Sequence, residues 1–246
     1  MKLVVRNSRS NKKMDSNRRN EIIIGVLFIL AAVTAILGLA LYQLILYDTD
    51  YIINGSANET QVIWGAFCEL ILAFSVIGTS VMMYPILNKE NESLAIGYVC
   101  FRLLEATIIV IGIISLLSVV TLNQEFIKTI NPNEISFLTA GKLLVAIHNG
   151  TFLLGPSLAL GPSTLMMSYI LYKSKLVPRF IYLQGLVGGP LIFAYALLVM
   201  FRVFPQISVW GTLLAIPVYA FEITLAVWLI VKGFNSSVGD FSTILR

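Results

Sequence analysis

Six apolar runs govern what this chain can become, at about residues 22–47, 62–87, 94–122, 137–172, 179–202 and 208–231. Each is long enough for a helix to cross a bilayer core, which takes about 20 residues over roughly 30 Å. A soluble fold is excluded from the other direction as well. Only 12% of the residues are charged, against about 25% in an ordinary soluble domain, too few to clothe a water-facing surface. The expected fold is all-α, a polytopic transmembrane helix bundle of about six spans. The longest polar segment is the first twenty residues, and no connecting loop exceeds roughly fifteen, too short for a separate soluble domain. The domain reading is therefore a basic tail at 1–20, a six-span bundle at 21–235 and a short tail at 236–246.

The net charge of +4 would raise the question of nucleic acid in a soluble protein, but here membrane topology accounts for it. With the N-terminus inside, the inner segments hold Lys2, Arg6, Arg9, Lys12, Lys13, Arg18 and Arg19, then Lys89, Lys173, Lys175, Arg179, Lys232 and Arg246. The outer loops hold only Lys128 and Arg202, beside Asp48, Asp50, Glu59, Glu125 and Glu134. This bias orients both termini towards the cytoplasm of a cell membrane. The partner implied is the lipid bilayer, not nucleic acid, and nothing in the pattern dictates an oligomeric state. The basic tail could also draw in anionic lipid, at about 1 kcal/mol per residue near the surface, although it lacks the apolar face of a lipid-binding helix. The run after it is longer than the 7–15 residue core of a cleaved signal, so an uncleaved first span is expected.

Aromatic residues near the run ends, Tyr42, Tyr47, Trp64, Tyr84, Tyr182 and Trp210, read as interfacial anchors. Gly185 and Gly189, with Gly188 between them, have the spacing that lets helices approach closely. The fourth run is too long for a single upright span, and it contains Gly155-Pro156 and Gly161-Pro162. Either a kinked, tilted helix or a broken helix lining a cavity would satisfy this pattern.

The informative residues are ionisable groups deep in the runs: Glu69, Arg102, Glu105, His148 and Glu222. Each buried charge costs at least about 2.5–3.5 kcal/mol to insert, so such groups face the bundle interior and pair. Arg102 and Glu105 are three residues apart and share a helix face. Tyr219 is one turn before Glu222, within reach for a phenol to hydrogen-bond the carboxyl. Three carboxyls face one guanidinium, so one glutamate is expected to hold a proton near neutrality or to take one from His148. A static polar clamp that fixes helix register is the alternative. Spans one and five carry no buried charge and are expected at the lipid-facing periphery.

Other chemistry lacks its residues. One histidine in the chain rules out an HExxH zinc hydrolase or a bis-histidine haem, and neither a metal nor another cofactor is expected. Cys68 and Cys100 form no CxxC motif. Ser157, Ser163 and Ser168 lie past a Gly-Pro pair from His148, which weakens a Ser–His reading. No phosphate-cradling or nucleic-acid motif is present.

Four stretches carry a resemblance: Asn58 to Phe74, running through Trp64 and Glu69; Asn91 to Ala106, with Glu-Ser-Leu-Ala followed by Arg102-x-x-Glu105; Leu153-Leu-Gly-Pro156; and Leu225 to Phe234. Over about residues 20–234 the chain resembles a prokaryotic integral-membrane family known as domain of unknown function 4386. The resemblance implies a multi-span membrane protein and carries no established activity. Three functions remain open: a membrane protein whose buried polar cluster binds or moves a small solute or proton, an intramembrane enzyme acting on a lipid, and a structural or regulatory membrane partner.

Overall fold

A computed structural model describes residues 2–47, 51 and 59–235. The side chains of Lys2, Arg6, Arg9, Lys12, Lys13 and Tyr47, and all of Asp48, Asp50 and the 236–246 tail, lie outside the described residues. The helices are α1 (Lys2–Tyr47), α2 (Glu59–Leu87), α3 (Glu92–Lys128), α4 (Glu134–Leu153), α5 (Leu160–Ser174), α6 (Arg179–Met200) and α7 (Val209–Val231). A π-helical segment, Leu154–Ala159, joins α4 to α5. Among the described residues there is no strand. Six helical stretches are long and apolar enough to cross a membrane, the fourth being α4, the π segment and α5 together.

Polar residues between the apolar runs set the helix starts. Asn91, Asn133 and Ser208 are N-caps whose side chains accept from the amides of Leu94, Ser136 and Gly211, at 2.9, 3.2 and 3.1 Å. Each satisfies an amide that the helix itself leaves open.

Sequence neighbours are also spatial neighbours. α1 packs on α2, α2 on α3, α3 on the fourth span, α5 on α6 and α6 on α7, and α7 closes the ring onto α1. Close approach depends on small residues. A Cβ on Gly188 would come within 2.6 Å of the Val218 amide nitrogen in α7, and one on Gly189 within 2.8 Å of the Gly161 carbonyl in α5. Apolar side chains fill the two ends of the ring. At one end Ile24, Phe28, Met83, Leu87, Leu171 and Leu229 form part of a large cluster. At the other, Tyr42, Val62, Leu116, Val119 and Val120 pack together.

One anchor expectation is corrected. Tyr42 is no interfacial anchor: it is fully buried in the second cluster, because α1 carries on beyond it to Tyr47. Trp64 and Trp210 do stand exposed. The fourth span is continuous rather than broken. Pro156 removes an intrahelical donor, and the helix absorbs the defect by widening into a π segment that leaves it continuous.

Arg18 has a structural role of its own at the end of α7. It donates to the carbonyls of Leu229, at 2.6 Å, and Ile230 at the end of α7, and pairs with Glu21 at 3.2 Å. Glu21 in turn accepts from the Phe234 amide at 3.3 Å. The guanidinium thus occupies carbonyls that a helix terminus leaves unsatisfied. Hydrogen bonds to charged groups contribute about 1.5–3 kcal/mol when buried, and this one is partly exposed. Arg18→Met should therefore cost about 1.5 kcal/mol, seen as a lower thermal unfolding midpoint in detergent. An unchanged midpoint would mean that the clasp does not hold α7.

Candidate functional site

The middle of the ring, between the two apolar clusters, contains a cavity of about 390 Å³. All six polar residues singled out from the sequence line it: Glu69 from α2, Arg102 and Glu105 from α3, His148 from α4, and Tyr219 and Glu222 from α7.

Arg102 is the hub. Its Nη1 donates to Glu105 Oε2 at 3.0 Å and to Glu222 Oε1 at 3.4 Å, while Nη2 reaches Thr79 Oγ1 at 3.5 Å. Its guanidinium carbon lies 5.9 Å from the centre of the Phe28 ring, within cation–π range. The first contact is local, since residues three apart meet on a helix. The second crosses from α3 to α7. Two carboxylates thus share one guanidinium.

A second pair lies on another wall of the cavity. Glu69 Oε1 is 3.7 Å from His148 Nε2, and Tyr42 meets the His148 ring edge-on, with centroids 5.5 Å apart. Gly112 leaves room beside His148 and Thr151, where a Cβ would come within 2.5 Å of the Thr151 hydroxyl. Glu69 therefore pairs with histidine rather than with Arg102. Arg102 Nε and His148 Nδ1 are buried without a hydrogen-bond partner.

The π segment has a part in this arrangement. It packs on α3, and a Cβ on Gly155 would be 3.3 Å from the Glu105 carbonyl. The wide turn seats the fourth span against Glu105 and brings Pro156 to the cavity wall. Such π turns occur often at functional sites.

Sequence reasoning misplaced some groups. Tyr219 lines the cavity, but it is 48% exposed and, among the described residues, gives no hydrogen bond to Glu222. Span one is no mere periphery, because Ala31, Ala32 and Ala35 of α1 form part of the wall. Charge was the wrong guide there. The repeat of alanine at four-residue spacing, one small face on a helix, was the available signal. Ser163 bonds back to the Leu160 carbonyl at 2.9 Å, and no Ser–His pair forms among the described residues. Cys68 and Cys100 are free thiols.

The family model described as Domain of unknown function (DUF4386) matches residues 23–233. The chain belongs to that family. No curated protein and no solved structure matches it. The cavity and every polar residue lining it fall within the DUF4386 domain, whereas Arg18 and Glu21 precede the matched region. The site is thus a feature of the domain core, and the clasp is an addition at its edge.

Proposed function

We propose that this chain is a prokaryotic cell-membrane protein, both termini cytoplasmic, whose buried Glu/Arg/His cluster binds or moves a small solute or proton. One observation carries the reading: ionisable groups from four helices converge on a cavity while Arg102 Nε and His148 Nδ1 keep hydrogen-bonding capacity to spare. A buried polar atom left unpaired costs about 1–3 kcal/mol. A purely static clamp would gain by satisfying every atom, whereas a binding site holds capacity for what it binds.

The test is chemical access. In a background with Cys68→Ala and Cys100→Ser, Thr151→Cys puts a thiol on the cavity wall. A thiol reacts as thiolate, which needs a polar, hydrated setting. The expected result is modification by membrane-permeant N-ethylmaleimide in the folded protein. Reaction only after unfolding would leave the static clamp standing.

The orientation has its own test. Reporters fused at either terminus or near Lys173 should be cytoplasmic, and one near Asn131 external, as the Lys and Arg bias requires. An external C-terminus would end the six-span arrangement.

A further inference from the structure

We propose that the cavity takes a lipophilic monovalent organic cation, an amine or onium group on an apolar body. The ligand arrives from the bilayer through the seam between α1 and α7, and Glu222 is its counter-ion. The proposal rests on the reading above that the cavity is a binding site.

The route follows from packing. Apolar clusters pack the ring above and below the cavity, so among the described residues both ends are closed chiefly by hydrophobic side chains. The side wall differs. α1 and α7 are in tight contact near Gly25, where a Cβ would be 2.7 Å from the Ala226 carbonyl. Farther along the same seam, Ile36 and Tyr219 line the cavity and keep 70% and 48% of their surface accessible. Side chains that face both the cavity and the surface mark its mouth, and this mouth opens where lipid lies. A hydrated inorganic ion has no favourable path through it, whereas an amphiphile does.

The ligand class follows from charge. Three carboxyl groups, Glu69, Glu105 and Glu222, line the cavity with Arg102 and His148. Arg102 already opposes two carboxylates, and among the described residues lining the cavity there is no other lysine or arginine. Neutrality needs a proton in the empty cavity or a cation in the filled one, and an anion would meet a negative interior. Glu222 is the more accessible partner, its side chain 15% accessible against 5% for Glu105, and Tyr219 and Ile223 beside it line the wall. Apolar walls with a few convergent polar groups, including the aromatic faces of Phe152 and Tyr219, suit an onium ion on a hydrocarbon body.

The experiment is equilibrium binding to the full chain in lipid nanodiscs, using tetraphenylphosphonium and its size-matched anion tetraphenylborate. Saturable binding of the phosphonium and not of the borate is expected. Glu222→Gln should weaken it about tenfold or more, and Glu222→Asp, which keeps the charge, should restore it. Ile36→Trp leaves every charge in place and should slow association by narrowing the mouth. Equal binding of both ions, preference for the borate, or no binding of either overturns the ligand class. Unchanged affinity in Glu222→Gln overturns the counter-ion, and unchanged association in Ile36→Trp overturns the route. If Thr151→Cys reacts with N-ethylmaleimide while the phosphonium fails to bind, the ligand class is wrong and the binding site survives. An unreactive Thr151→Cys removes the site itself.

Discussion

Arg102→Met is expected to destabilise the protein by about 3–5 kcal/mol at alkaline pH and by clearly less at acidic pH. The methionine keeps much of the side-chain volume, so the loss is electrostatic. Glu105 and Glu222 lose the guanidinium that stands 3.0 and 3.4 Å away. A buried carboxylate without a cation is costly, but a protonated carboxyl needs none. Acid conditions supply those protons, so the variant recovers as pH falls, and its stability declines as pH rises because the folded state must hold protons that the unfolded chain releases. Adding Glu105→Gln removes one of the two stranded charges and should flatten the pH profile while recovering part of the loss. Unfolding measured from about pH 5 to 9 decides the matter, a window wide enough to titrate a perturbed glutamate. Equal loss throughout would mean that Arg102 does not neutralise buried carboxylates.

Why Arg102 and Glu105 were readable together, and Glu222 less so, is a matter of distance along the chain. Three residues on one helix fix a contact by backbone geometry alone, and apolar length alone fixes the number of spans. Which helix faces which is decided by packing. Glu222 was recognisable as a buried acid, yet its place against Arg102 depends on how α7 packs into the ring, and that of Glu69 against His148 on how α2 and α4 both pack on α3. The closing of the ring onto α1 explains the misreading of span one. Charges advertise an inward face, whereas Ala31 and Ala35 line the cavity by being small. Small residues are ambiguous in a sequence because they mark equally a tight helix contact and an open wall.

The fourth span shows a different limit. Gly155-Pro156 announced a defect, because proline lacks a donor wherever it sits in a helix. The form of the defect depends on what the helix packs against. Here α3 lies alongside, and a π turn keeps the helix continuous while seating Gly155 on the Glu105 backbone. Arg18 was legible as a positive charge just before the first apolar run. Its carbonyl partners lie on the last turn of α7, and no local pattern could name them.

The contact between α6 and α7 yields the other large expected effect. Gly188→Ala adds one methyl at a point where the nearest atoms are backbone: the Val218 amide nitrogen at 2.6 Å and the Pro217 carbonyl carbon at 2.8 Å. A flexible side chain could turn aside, but backbone can yield only if the helices separate. Overpacking of this kind costs about 1–3 kcal/mol, and Gly188→Leu should reach or exceed the upper figure. Gly150→Ala is the control. It lies in α4 with nothing within 4 Å of the added methyl, so it should be neutral or gain up to about 1 kcal/mol of helix propensity. The damage at Gly188 should also reach the site. Val218 is four residues, one helical turn, before Glu222, and displacing α7 there lengthens a 3.4 Å contact that has little to spare. In Gly188→Ala, then, Arg102→Met should cost less than it does alone, because part of its contact is already lost, and a double-mutant cycle reads that difference directly. Strict additivity would show that α7 moves without carrying Glu222 away from Arg102.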